Sequence, residues 1–405
     1  MTTISSRPIE ASPPPIAQIG PIAWLRKHLF NTWYNSLLTV ILGVILITVG
    51  WGLLTWIFSI AQWAVIPNNL PLFMSGLYPN DQYWRIWTML GVILTMAGLS
   101  WGVLGRNLSP LFSLNVLIGV GLVCAATIVF PLTRPNSPIL IGLLIWTCAM
   151  ALSGQQLGRQ YKGVGQWLSL AWFATYFINL WLLGGGLVLP SVRTSSWGGL
   201  TLTLLLAISG IALCFPIGVV LALGRRSTLP IVKGLSIAYI ELIRGVPLIS
   251  ILFMGQVMIP LFLPEGVRPD RIVRAIIGLT IFSSAYLAEN VRAGLQAVPR
   301  GQFEAAASLG LNKPLTLALI VLPQALKTAI PAIVGQFISL FQDTTLLGVV
   351  GLVELLGISN SILANPDYLG RYTEVYLFIA LLYWLFCYAM SLGSRRVEQA
   401  LHTGR

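Results

Sequence analysis

Charge is scarce in this sequence. Of 405 residues only 9% are Asp, Glu, Lys or Arg, and 56% are hydrophobic; a water-soluble domain carries about a quarter charged residues. Such a chain fits lipid as its solvent, and a mean hydropathy of +0.83 agrees. Histidine is almost lacking: His28 and His402 stand near opposite ends of the chain, which excludes catalysis or metal ligation by paired histidines. Cys124, Cys148, Cys214 and Cys387 lie singly in apolar runs without a CxxC, so neither a metal site nor a disulfide framework is indicated. No Gly-Lys dipeptide occurs, so the phosphate-cradling loop GxxxxGK[ST] is missing, and with it any ATPase motor in this chain. Clustered carboxylates are missing too, and with no histidine pair to serve as base this argues against a membrane-embedded enzyme. The net charge of +12 is scattered at the ends of apolar runs and forms no basic patch, so no nucleic-acid partner is expected.

What is present is a series of long uncharged runs. No Asp, Glu, Lys or Arg occurs from His28 to Asn80, and further gaps run from Asn107 to Thr133, Gly163 to Val192, Thr194 to Gly224 and Val375 to Ser394. A helix needs about 20 apolar residues to cross a hydrocarbon core about 30 Å thick. The pattern predicts an all-α, polytopic transmembrane helical bundle of about ten spans: 36–66, 84–104, 111–131, 138–155, 166–189, 198–223, 234–262, 272–290, 326–342 and 372–394. The fourth is short for a crossing. Pro67-Asn68-Asn69, Pro131 to Pro138 and Pro264 to Pro269 break the runs between them. Residues 1–21 read as a disordered tail without a secretory signal, and Trp24 to Tyr34 as a segment lying at the membrane surface. With the N-terminus inside, sixteen Lys and Arg fall on the cytoplasmic side, Arg7, Lys162 and Arg405 among them, and seven outside, Arg85 and Arg134 among them. That asymmetry predicts a multi-pass protein of a bacterial inner membrane with both termini cytoplasmic.

Composition shifts near residue 195. The first part is Trp-rich and has no acid within its spans, whereas the second has Glu241, Arg244, Glu289, Asp343 and Glu354 in or beside apolar runs. Ionisable groups near hydrocarbon are costly unless paired or hydrated, so the second part is where function is expected. An ion-coupled secondary transporter predicts inverted repeats and buried acids in both halves; no internal repeat is visible and the acids occupy one half only.

One segment is more specific. Glu304-Ala-Ala-Ala-Ser-Leu-Gly310 is followed ten residues later by Ile320-Val-Leu-Pro323. It resembles the cytoplasmic coupling loop of ABC-importer permeases, whose pattern is EAA, three residues, G, nine residues, I, one residue, LP. The similarity continues through Tyr239 to Leu248, Ala285 to Arg292, Gly301 to Glu304, Leu322 to Ala325 and Gln342 to Leu346, about 200 residues in all. The chain thus resembles polar amino acid uptake permeases, in particular the long-chain subunit of general L-amino acid systems. The resemblance implies a five-span type I importer core over 196–395 with coupling loop 299–323, preceded by a tail and interfacial segment (1–35) and an N-terminal extension of about five spans (36–195), and followed by a C-terminal tail (396–405). It implies alternating access driven by a separate ABC ATPase dimer, which holds the ATP and Mg while this chain binds no cofactor. A second permease subunit, making a heterodimer or homodimer, and an extracytoplasmic amino-acid-binding protein complete the expected partners.

Elementary chemistry supports the loop assignment. Gln302 to Leu309 is a helix-forming run, Gly310 suits a left-handed terminator, and Pro314 is tolerated only in the first turn of a second helix. Low bulk at Ala305-Ala306-Ala307 lets a partner approach the backbone, and Glu304 near the helix start suits the dipole and a basic partner. Gly301, Glu304, Ala305, Ala306 and Gly310 are therefore the candidate ATPase-coupling residues. Glu241 with Arg244, and Glu289 with Arg292, stand three apart on one helix and form candidate structural or gating ion pairs; Pro247, which follows Arg244 closely, should kink the helix that carries Glu241 and Arg244. Asp343 has no basic neighbour. It reads either as a carboxylate accepting the ammonium of an amino acid, with Thr344, Gln336 and Glu241 as companions along the substrate pathway, or as a cap for the segment Thr345 to Leu356. The resembling family has Lys immediately before this Asp, whereas here Gln342 leaves the carboxylate more available.

Overall fold

The computed structural model describes residues 20–107, 111–129, 136–161, 163–186, 188–264 and 266–402. Of the expected disordered tail, residues 1–19 lie outside them and Pro21 opens a helix; Arg7, Arg134, Lys162 and Arg405 also lie outside. By contact the chain forms two units, Met1–Gln62 and Trp63–Arg405. The first holds α1 (Pro21–His28) and α2 (Trp33–Thr55), the latter continued by a π turn to Ile60. No charge interrupts α2 and none of its residues is buried. A helix apolar on every side is held by its backbone hydrogen bonds and needs lipid or protein around it.

The second unit opens on two short helices, α3 (Val65–Asn68) and α4 (Leu70–Ser75), and continues with α5 (Tyr83–Leu104), α6 (Leu114–Val129), α7 (Ser137–Gln160) and α8 (Val164–Gly184). Gly98 and Gly102 on α5 face the α7 backbone between Thr147 and Gln155, and Gly154 and Gly158 on α7 face the α5 backbone at Leu99 and Val103: a Cβ on Gly98 would stand 2.5 Å from the Thr147 carbonyl oxygen, and at Gly102 and Gly154 it would overlap the facing chain. Two small-xxx-small stripes thus interlock, which is how helices gain packing where lipid removes the hydrophobic drive. Trp172 Nε1 on α8 donates to Ser100 Oγ on α5 at 3.0 Å.

From residue 199 the chain forms α9 (Gly199–Arg225), α10 (Pro230–Arg244), α11 (Leu248–Phe253), a π turn (Met254–Met258), α12 (Ile259–Phe262) and α13 (Arg271–Ala297). Then come α14 (Arg300–Ser308), α15 (Lys313–Thr316), a π turn (Leu317–Val321), α16 (Leu322–Asp343), a 3₁₀ stretch (Thr344–Val350), α17 (Leu355–Leu363) and α18 (Tyr372–His402). The last helix runs through the stretch read as a C-terminal tail. α9 and α13 lie parallel, with α16 against α13. One end of the bundle carries α14 and α15 and is here the loop end; the far end carries α17, the 185–198 segment and the starts of α5, α9 and α13.

Every one of the ten expected spans is met by a helix, but they differ in kind. Among the described residues eight helices are long and apolar enough to cross a membrane. A ninth is broken: α10 and the α11–α12 stretch meet at 102°, at the position where Pro247 follows Gly245. The expected kink is a sharp bend because Pro247 cannot donate within the helix and Gly245 offers no side chain to hold it. The tenth, α6, has 16 residues and reaches only about 24 Å. The fourth expected span is instead a full crossing, α7, of 24 residues, because Gln155, Gln156 and Gln160 extend the helix past its apolar part.

Two buried clusters fix the ends. At the far end Tyr78, Leu183 and Trp197 pack with Leu202, Leu252, Ile272 and Leu347. At the loop end Ala222, Ile240, Val291, Leu295 and Ala325 form the other.

Candidate functional site

The loop at the heart of the sequence argument is a helix–turn–helix. α14 starts directly after Pro299, and Gly310 ends it with φ 74°, the left-handed conformation expected there. Leu311 N–H returns to the Ala306 carbonyl at 3.1 Å and Gly310 N–H to Ala307 at 3.0 Å, which satisfies the last carbonyls of the helix. Asn312 then caps α15, its Oδ1 accepting from Leu315 N–H at 3.0 Å, with Pro314 in the first turn. Gly301, Glu304, Ala305 and Gly310 are exposed, as expected of docking residues. Ala306 is not: it is 1% exposed and faces its own bundle. The helix period turns Phe303 and Ala306 inward together, and Phe303 packs on the loop-end cluster. The surface open to a partner is therefore Glu304, Ala305, Ala307 and Leu309. Gln302 Oε1 accepts from Gln324 Nε2 of α16 at 3.1 Å, tying α14 to α16.

Beside this loop the expected ion pairs are rewired. Glu241 does not pair with Arg244; its Oε1 meets Arg225 Nη1 of α9 at 2.8 Å. The same Arg225 nitrogen donates to Glu289 Oε1 of α13 at 2.9 Å. Glu289 Oε2 takes Arg292 at 2.8 Å, as expected, and lies 3.9 Å from Arg244. Arg244 also sits over the Tyr286 ring at 5.4 Å. Helix α10 presents Glu241 toward α9 and Arg244 toward α13, so neighbouring helices offer closer partners than its own next turn. Arg225 was invisible as a member: in sequence it is one of two arginines ending an apolar run. Five charged groups now tie α9, α10 and α13 beside the loop end, and Arg226 Nη1 adds a bond to the Leu295 carbonyl at 3.0 Å.

The expected substrate residues do not form one cluster. Glu241 belongs to the loop-end network, while Asp343 closes α16, a helix of 22 residues and about 33 Å, at the other end. Thr344 is wholly buried and its hydroxyl donates to the Phe341 carbonyl at 2.7 Å. Asp343 caps nothing: the 3₁₀ stretch after it shows no side-chain cap bond, and the carboxylate accepts no hydrogen bond among the described residues. Gln336, seven residues earlier, shares its helix face. Of the four, Asp343 and Gln336 remain as a pair of half-buried polar groups on one stripe of α16. The capping role belongs instead to Glu354, whose Oε2 and Oε1 accept from Leu356 and Gly357 N–H, each at 2.8 Å, at the start of α17. Glu354 is wholly buried, and burial pushes its carboxyl up to about 7.

Comparison with known proteins agrees with this geometry. Residues 214–403 match the family described as binding-protein-dependent transport system inner membrane component. The inner membrane amino-acid ABC transporter permease protein YhdY of Escherichia coli is 39% identical over 403 residues, 95% of this chain and 94% of that one. The glutamate/glutamine/aspartate/asparagine transport system permease protein BztC of Rhodobacter capsulatus is 37% identical over 96% of this chain and 95% of its own. Among solved structures, that of an amino acid ABC transporter with histidines is 29% identical, covers 58% of this chain and 98% of its own, and has a TM-score of 0.45. Two relatives matched nearly end to end, both amino-acid transport permeases, show that the chain belongs to the amino-acid ABC transporter permeases.

Proposed function

We propose that this permease imports L-amino acids across a bacterial inner membrane by alternating access, driven by ATP hydrolysed, with Mg, on a separate ABC ATPase dimer. The observation that carries the reading is the short, capped α14–Gly310–α15 lever, bonded through Gln302 to α16 and packed through Phe303 and Ala306 on the loop-end cluster. A force on its exposed face (Glu304, Ala305 and the backbone at Gly301 and Gly310) reaches spanning helices without passing through a flexible link, as domain rocking requires. The loop end faces the cytoplasm, with both termini on that side. A second permease chain pairs with this one, and an extracytoplasmic binding protein delivers the substrate. The chain itself binds no cofactor. The amino-acid class follows the two relatives, whose names state amino-acid transport. Asp343 with Gln336 is the first candidate to receive the substrate's ammonium group. The test is uptake into membrane vesicles supplied with ATP and binding protein. Glu304→Lys reverses the charge at the docking face and Gly310→Asp strains the left-handed terminator; both are expected to abolish ATP-driven uptake with the chain still inserted. Normal uptake by both, or uphill transport by this polypeptide alone, would overturn the reading.

A further inference from the structure

Arg85 sits in the first turn of α5 and is wholly buried. Nη2 donates to the Pro190 carbonyl at 2.9 Å, the Trp84 ring lies 5.7 Å from Cζ, and the Tyr78 hydroxyl feels the guanidinium's charge, but Nε and Nη1, equally buried, form no hydrogen bond among the described residues. A guanidinium cannot escape burial by losing its proton. No described carboxylate answers it. Asp81 is exposed and accepts from Gln82 Nε2 at 2.6 Å, and Asp270 is taken by Thr194 and the Ile272 N–H. The start of a 22-residue helix adds positive potential at the same place, which opposes a cation and favours an anion.

A second buried donor borders the same turn. Trp197 is 8% exposed and its Nε1 has no acceptor among the described residues. The glycines of the 184–186 turn touch both residues: a Cβ on Gly184 would come within 3.3 Å of the Trp197 ring at Cζ2, and one on Gly185, φ 72°, would overlap the Pro190 carbonyl oxygen and come within 2.9 Å of Arg85 Nη1. Two unanswered donors, one of them a fixed cation, therefore flank one glycine turn at the far end of the bundle.

We propose that this turn, with the first turn of α5, forms a buried site for a small monovalent anion of the chloride class, held by Arg85 Nε and Nη1 and by Trp197 Nε1. Complete burial of Arg85 excludes a lipid phosphate or an organic acid, which need an open mouth. The site's consequence is mechanical. Arg85 already holds the Pro190 segment, and Tyr78 and Trp197 share the far-end cluster with Leu252, Ile272 and Leu347 of the permease core, so a neutralised guanidinium fastens the N-terminal helices to the core.

The assembled transporter, purified at fixed ionic strength, is heated in chloride and in gluconate. The expected result is an unfolding midpoint that rises saturably with chloride, and bromide soaked into crystals of the complex gives an anomalous peak beside the Arg85 guanidinium. Arg85→Met is expected to remove both signals. If that variant fails to assemble, Trp197→Phe, which keeps the ring and removes only the N–H, is expected to weaken apparent chloride affinity on the order of tenfold. Equal midpoints in chloride and gluconate, with water alone beside Arg85, overturn the site. So does an Arg85 partnered by Glu265, which lies outside the described residues, if Glu265→Gln lowers the midpoint without any chloride dependence in the wild type.

Discussion

At the scale of single residues, the acids divide by what surrounds them. Glu289 is the hub of the loop-end network, its side chain only 16% exposed, and it answers arginines from three helices. Arg225 serves two acids at once, so removing it leaves both Glu241 and Glu289 short of a partner. Arg225→Ala is expected to reduce uptake more than Glu241→Gln, because Glu241 is half exposed and water replaces its partner cheaply. A double-mutant cycle between Arg225 and Glu289 should give a coupling of about 1 kcal/mol; no coupling would show that the geometry does not matter. Glu354 supplies a pH prediction. Its carboxyl is raised by burial from 4.5 to about 7, so the folded state holds the proton more tightly than the unfolded state. Stability therefore falls as pH rises from about 4.5 through about 7 and levels off near pH 8, by an amount on the order of 3 kcal/mol. Glu354→Gln, which stays neutral, should flatten that part of the thermal-stability profile.

At the scale of elements, the α5–α7 contact rests on the absence of side chains. Gly102→Leu forces a branched chain into the facing backbone of Ala151 and is expected to cost at least about 1–3 kcal/mol of stability. Gly142→Leu, on a stretch of α7 with nothing within 4 Å, should leave the unfolding midpoint unchanged. Equal effects would show that helix propensity, not the interlock, sets the outcome. This contrast also marks what the sequence discloses. Long uncharged runs reveal α2, α6, α8, α9 and α18, since lipid acts on every residue of a run alike, and Pro247 reveals the break between α10 and α11. Gly310 reveals the end of the lever for the same local reason. Partners across helices are another matter. Arg225 looks like any arginine at a membrane edge, Arg85 reads only as one of seven basic residues on the outer side, and Ala306 reads as docking surface, although its helix face is turned to Phe303's side. Each of these depends on rotation about a helix axis, which packing decides after the helix has formed.

At the scale of the whole molecule, the boundary suggested by composition near residue 195 runs through shared packing. Tyr78 OH donates to the Leu183 carbonyl at 2.9 Å, 105 residues away, and both side chains lie in the same cluster as Leu202, Leu252 and Leu347 from beyond the boundary. Phe73 likewise packs with Leu355 and Val375. A core built from both sides of a sequence boundary does not survive division there, because the remaining half exposes the apolar surface that the other covered. Removing residues 1–62 leaves these clusters complete, since all their members come later in the chain. Removing residues 63–197 takes away Phe73, Tyr78, Leu183 and Trp197 and opens the far end around Leu252 and Ile272. The first truncation is therefore expected to give a monodisperse, detergent-solubilised protein with an unfolding midpoint close to that of the full chain, and the second an aggregating one. If the second truncation behaved like the first, the N-terminal helices would be passengers on a core that folds without them, and the far-end cluster would hold no more than side chains that happen to touch.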